Sequence, residues 1–134
     1  MMRTYDSVLN RKYLWCDYDL SYFDPGHGYA GWRDIMDTFL GAVEQRCAEQ
    51  GLTLGSPEVF EIMQLKEKWG ALTIYCSGSV KPFDLCIAAE SSSMSVCMFC
   101  GKPGHLRPGA WHATLCDTCQ AERMRQLNAS QTLQ

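Results

Sequence analysis

Apolar positions change their period several times along the chain. From Gly31 onward Ile35, Met36, Phe39, Leu40, Val43 and Cys47 recur at steps of three and four, with Arg33, Asp34, Asp37, Glu44 and Gln45 between them. That spacing predicts an amphipathic helix from about Trp32 to Gln50, closed by Gly51 just past the C-cap, where left-handed backbone favours glycine. After Ser56-Pro57 the period shortens to two. Val59, Glu61, Met63 and Leu65 alternate with Phe60, Ile62 and Gln64, with apolar groups on both faces, and Leu72, Ile74 and Cys76 alternate with Thr73 and Tyr75. These read as two strands joined by a hairpin connection at Lys66-Glu67-Lys68-Trp69-Gly70. Pro82 to about Ser95 predicts a further helix with Pro82 near its first turn and Phe83, Cys86, Ile87 and Met94 on one side. A short polar helix from Asp117 to about Leu127 ends the pattern, and the remaining residues should fray.

The first 31 residues show no such period. Tyr5, Tyr13, Trp15, Tyr18, Tyr22, Phe23 and Tyr29 interleave with Asp6, Asp17, Asp19 and Asp24, and Pro25-Gly26 and Gly28 supply turn chemistry. Short extended pieces and loops are expected there. The predicted class is α+β: a small antiparallel sheet with packed helices and a C-terminal zinc ribbon-like module of four cysteines. The divisions are a body over 1–96, a metal module with its helix over 97–127, and a flexible tail over 128–134.

The module is defined by its cysteines. Cys97-Met98-Phe99-Cys100-Gly101 is followed, fifteen residues after Cys100, by Cys116-Asp117-Thr118-Cys119. A two-residue spacer lets one tight turn present both thiolates to a single ion, and two such pairs at this separation supply the tetrahedral sulfur set that zinc takes. Four thiolates leave no coordination position open, so one structural Zn2+ is expected, able to supply on the order of 10 kcal/mol to folding. His105 and His112 lie in the loop and are the alternative ligands should one cysteine not bind. Cys16, Cys47, Cys76 and Cys86 stand apart in sequence and read as small buried hydrophobes.

Charge separates body from module. Residues 1–96 hold eight Lys/Arg and thirteen Asp/Glu, net −5, whereas residues 97–134 are net +2, within a whole-chain charge of −3. An acidic body argues against nonspecific nucleic-acid binding. Within the module, Lys102, His105, Arg107 and Trp111 could contact a phosphate and stack on a base, or belong to a solvated loop with Trp111 folded inward. The acidic aromatic stretch, chiefly Asp17, Tyr18, Asp19, Tyr22 and Asp24, has the composition of a protein-binding patch for a basic partner, or of core and rim over the body. His27 is the one histidine outside the zinc loop, and no phosphate loop, serine elbow or HExxH is present. No catalytic residue is assigned. The absence of a long apolar run or a signal-peptide core implies a cytoplasmic protein without a membrane span.

Gln64-Leu65-Lys66-Glu67-Lys68-Trp69-Gly70-Ala71-Leu72-Thr73-Ile74-Tyr75 resembles a block, roughly (I/V)KEKFGGLRFY, of small zinc-knuckle proteins of bacteria and bacteriophages. Gly31-Trp32, Ala89-Glu90, Ser93, Cys97 to Gly101, Ala110-Trp111 and Leu115-Cys116-Asp117 fit the same resemblance, which covers about residues 30–120. It departs at Trp69 for phenylalanine, Ala71 for glycine and Thr73 for arginine. The resemblance implies a small α+β body with a zinc knuckle and a phage or mobile-element origin, and it brings no catalytic residue. The resulting expectation is a non-enzymatic protein-binding protein, such as a phage inhibitor of bacterial defence of the anti-CRISPR kind. The alternatives are a toxin immunity protein or a nucleic-acid-binding accessory protein acting through the zinc module.

Overall fold

The computed structural model describes residues 5–109 and 111–132. Among the described residues the first helix, α1, Val8–Lys12, lies where loops were expected. Ser7 caps it by accepting from the Asn10 amide at 3.0 Å. The buried Asn10 side chain then fixes the next loop, donating to the Tyr18 carbonyl and accepting from the Leu20 amide, both at 2.9 Å. Single turns of 3₁₀ helix at Ser21–Phe23 and Ala30–Trp32 complete this region. Elements of three to five residues carry no readable period, so the sequence pattern could not reveal them.

Helix α2, Arg33–Gln50, follows the prediction closely. Met36, Phe39, Leu40, Val43 and Cys47 form its buried face, and Gly51 ends it in left-handed conformation at φ 69°. Strands β1, Glu61–Lys68, and β2, Ala71–Ser77, pair antiparallel. A bulge between Ile62 and Gln64 accommodates Met63 as an extra residue. Before it the inward residues are Phe60 and Ile62; after it they are Leu65 and Glu67. The bulge shifts the side-chain parity by one, which is why apolar residues appear on both faces in the sequence. The connection is also tighter than expected: Lys66 to Lys68 stay in the strand, and Trp69-Gly70 alone make the turn, at φ 55° and 84°.

Helix α3, Phe83–Ser93, packs on β2 and on α2. Its inward face is Cys86, Ala89 and Ser93, whereas Phe83 and Ile87 are 59% and 66% exposed, contrary to the expected apolar side. Ser93 can lie inside because its hydroxyl accepts from the Leu72 amide at 2.8 Å and donates to the Glu90 carbonyl at 2.6 Å. Cys76 and Cys86, read as isolated small hydrophobes, instead meet each other, their sulfurs facing between β2 and α3. Cys16 and Cys47 remain buried free thiols as expected.

A second hairpin, β3 His105–Arg107 with β4 Ala113–Leu115, lies between the two cysteine pairs. Helix α4, Asp117–Thr132, runs five residues beyond the expected end at Leu127, so residues 128–132 of the expected tail are helical and the last two lie outside the described residues. One hydrophobic cluster joins Trp32, Met36 and Leu40 of the body to Cys97, Met98, Ala113 and Leu115. The proposed division at residue 96 is therefore crossed by a continuous core. No helix among the described residues is long and apolar enough to cross a membrane.

Candidate metal centre and the adjoining aromatic cavity

Cys97 and Cys100 sit on a tight turn. The Gly101 amide donates to the Cys97 carbonyl at 2.9 Å, the Cys97 amide donates to the Lys102 carbonyl at 2.8 Å, and Gly101 takes φ 81°. Cys116 and Cys119 belong to the start of α4, where the Gln120 amide donates to the Cys116 carbonyl at 2.9 Å. The β3–β4 hairpin returns the chain so that the pairs meet. All four sulfurs lie within 4.8 Å of one another, and those of Cys100 and Cys116 are 3.6 Å apart. A tetrahedron with metal–sulfur bonds of about 2.3 Å has an edge of about 3.8 Å, so the set fits a single ion. The Cys119 amide, donating to the Cys116 sulfur at 3.4 Å, holds that thiol down at about 7 and favours the thiolate a metal requires. Burial and the neighbouring sulfurs push Cys119 up instead. Neither His105 nor His112 joins the cluster among the described residues.

The centre is bound to the body at three points. The Gly31 amide donates to the Met98 carbonyl at 2.9 Å, the Trp32 indole donates to the Val96 carbonyl at 2.9 Å, and the Thr114 hydroxyl donates to the Gly70 carbonyl at 2.6 Å. Thus the segment before α2 and the tip of the first hairpin both rest on the cysteine module.

The other candidate residues divide. Tyr18 works within the fold: its hydroxyl accepts from the Leu65 amide at 3.1 Å. Asp19 accepts from the Ser21 amide at 3.0 Å, and Asp24 from the Val8 amide at 2.9 Å. Asp17 and Tyr22 are exposed. In the module, Arg107 donates to the Leu115 carbonyl at 3.0 Å and to the Asp117 carboxylate at 2.8 Å, and it holds that carboxyl below its usual range. Lys102 and His105 are exposed. Trp111 is not folded inward; it is 67% exposed, with the Arg123 guanidinium 5.2 Å from its ring centroid.

Around Trp111 lies a mainly apolar cavity of about 460 Å³, lined among others by Tyr29, Glu67, Phe99, His112 and Glu122. Trp69, 70% exposed at the hairpin tip, meets His112 edge-on with centroids 5.4 Å apart. Tyr29 and Glu67 also line a second cavity with Tyr22, so one aromatic face runs from Tyr22 to Trp111. Sequence reasoning missed Trp69, Tyr29, Phe99, Glu67 and Arg123 as members of one site, because four separate segments contribute them. The one local signal was a bulky aromatic beside a glycine in the expected hairpin connection, Trp69-Gly70. Comparisons with protein-family models, with curated proteins and with solved structures gave no match.

Proposed function

We propose that this chain is a non-enzymatic cytoplasmic binding protein, held together by one structural zinc in a ribbon-like module, whose partner is another protein. The observation that carries this reading is the exposed aromatic face at the hairpin tip. Trp69 meets His112 edge-on, and Trp111 lines the mainly apolar cavity with the Arg123 guanidinium over its ring. Tryptophan, tyrosine and arginine are the residues that dominate protein-binding energetics. Trp69 strengthens the case because it takes left-handed backbone, which costs a bulky residue about 1–2 kcal/mol, at an exposed position where folding gains little from an indole. Four thiolates around zinc leave no position for substrate, so the metal's role is structural.

The nucleic-acid alternative loses support from the side-chain partners, since Arg107 is tied to Asp117 and Arg123 to Trp111. The narrower reading, a phage-encoded inhibitor of bacterial defence, rests on the small size and acidic charge of the chain and on the lack of a catalytic motif in its sequence, while the resemblance bears only on a phage or mobile-element origin. The test is affinity capture of a partner from bacterial lysate, followed by dissociation constants for Trp69→Ala and Trp111→Ala. The expected loss is about 2 kcal/mol or more for at least one variant, with zinc content unchanged. Unchanged affinity in both would move the interface elsewhere, with Asp17 and Tyr22 next to be replaced.

A further inference from the structure

The cavity beside Trp111 has a charge pattern that its aromatic lining alone does not convey. Its charged lining is Glu67, Glu122 and Arg123, with His112 as the remaining titratable side chain besides Tyr29 and Cys119. Arg123 is already engaged: its guanidinium lies over the Trp111 ring and donates to the Trp111 carbonyl at 2.6 Å. Glu67 uses one carboxylate oxygen to accept from the Gly70 amide at 2.5 Å. Glu122 is balanced in part by Arg125, which pairs with it. Cys119 also lines the cavity, and four thiolates around a divalent ion leave the metal cluster formally anionic. The cavity is therefore aromatic on several sides, its two carboxylates are matched by Arg123 and Arg125, and the excess of negative charge beside it would be that of the metal-loaded cysteine cluster.

We infer that this cavity receives a basic side chain, arginine or lysine, projecting from the protein partner. The inference rests on the protein-binding reading above and names the chemistry of its central contact. Aromatic faces attract cations through their quadrupoles, and desolvation within a pocket strengthens that attraction. The stacking of Arg123 on Trp111 shows this indole already holding a guanidinium. A side chain on a polypeptide fits better than a free small cation. The exposed Trp69 and Leu106 stand beside the cavity, beyond its lining, and a free ion would leave that apolar surface uncovered. Leu106 lies against the hairpin tip, since a Cβ on Gly70, the residue after Trp69, would lie 2.6 Å from Leu106 Cδ1.

The test uses zinc-loaded full-length protein and three blocked tripeptides differing only in the central side chain: arginine, norleucine or glutamate. Binding is followed through the amide and indole signals of Trp111, Phe99 and Glu67 in nuclear magnetic resonance titrations. The arginine peptide should shift these signals saturably, with a dissociation constant about tenfold or more below that of norleucine. Glu67→Gln keeps an acceptor for the Gly70 amide and removes the charge. It should weaken the arginine peptide by about threefold or more and leave norleucine unchanged. Equal binding of arginine and norleucine, tightest binding of glutamate, or shifts confined to other residues would overturn the inference. Trp69 lies outside the cavity lining, so Trp69→Ala should spare tripeptide binding while weakening the protein partner. If the tripeptide arm fails and the Trp69→Ala effect on the partner stands, the docking face survives without its cation pocket. The reverse pattern removes the docking face.

Discussion

The Gly31 amide donates to the Met98 carbonyl at 2.9 Å, and a Cβ on Gly31 would lie 2.0 Å from the Cys97 carbonyl oxygen. The backbone before α2 therefore lies directly on the turn that carries the first two cysteines. Trp32, the next residue, is fully buried and reaches the Val96 carbonyl with its indole. Body and cysteine turn share one packing unit, so a change at either side should be felt at the other.

Gly31→Ala should consequently destabilise the protein by about 2–3 kcal/mol, because its new methyl overlaps backbone atoms that cannot rotate away. Gly28→Ala is the control: nothing lies within 4 Å of its Cβ, and its backbone is not left-handed. It should stay within about 0.5 kcal/mol of the parent. Urea denaturation with zinc present checks both. Equal stability of the two variants would mean that the contact is not maintained in solution.

Trp69→Asn separates folding from binding. Asparagine tolerates left-handed backbone better than tryptophan does, so the first hairpin should be stabilised by about 0.5–1 kcal/mol, offset in part by the lost contact with His112. Partner affinity should fall by about 2 kcal/mol. A variant that loses stability and keeps affinity would show that the indole serves the fold.

Asp37 gives a pH signature. Burial alone would raise its carboxyl, but hydrogen bonds from the Tyr13 hydroxyl and the Lys12 ammonium outweigh that, and the carboxyl sits below its usual range. Burial, with Asp37 alongside, pushes the Tyr13 phenol up, so it remains a donor. A depressed carboxyl contributes stability that is fully present above the unfolded value of about 3.9 and is lost as pH falls through the folded value. The stability difference between the parent and Asp37→Asn should be constant from pH 7 to about pH 5 and shrink below about pH 4. A difference independent of pH would exclude the charged pairing.

Legibility in the sequence followed the range over which each structural cause operates. Helix α2 was readable because five inward residues repeat across its length and Gly51 marks its end. The cysteine cluster was readable because spacing alone fixes which thiolates can share an ion. Strand β1 was readable as a strand but not in phase, since only pairing with β2 reveals that Met63 is the extra residue. The inward face of α3 was misread because Ser93 is satisfied by Leu72, a partner distant in sequence. The meeting of Cys76 with Cys86 depends on how β2 and α3 pack, which their spacing does not state. The aromatic cavity was invisible for the same reason, being assembled from the segment before α2, the first hairpin, the cysteine turn, the β3–β4 hairpin and α4.

Four cysteines close enough to hold one ion, as a closed thiolate centre, are proposed to order the C-terminal third and the face beside it. The most direct measurement is metal content by native mass spectrometry, paired with a melting curve, on the parent, Cys100→Ser and Cys116→Ser. One zinc per parent chain is expected, with all four thiols of Cys97, Cys100, Cys116 and Cys119 protected from alkylation. Both variants should lose the metal, melt at lower temperature and expose residues 97–119 to proteolysis. Full zinc occupancy with an unchanged melting curve in both variants, or a metal-free parent of equal stability, would contradict it.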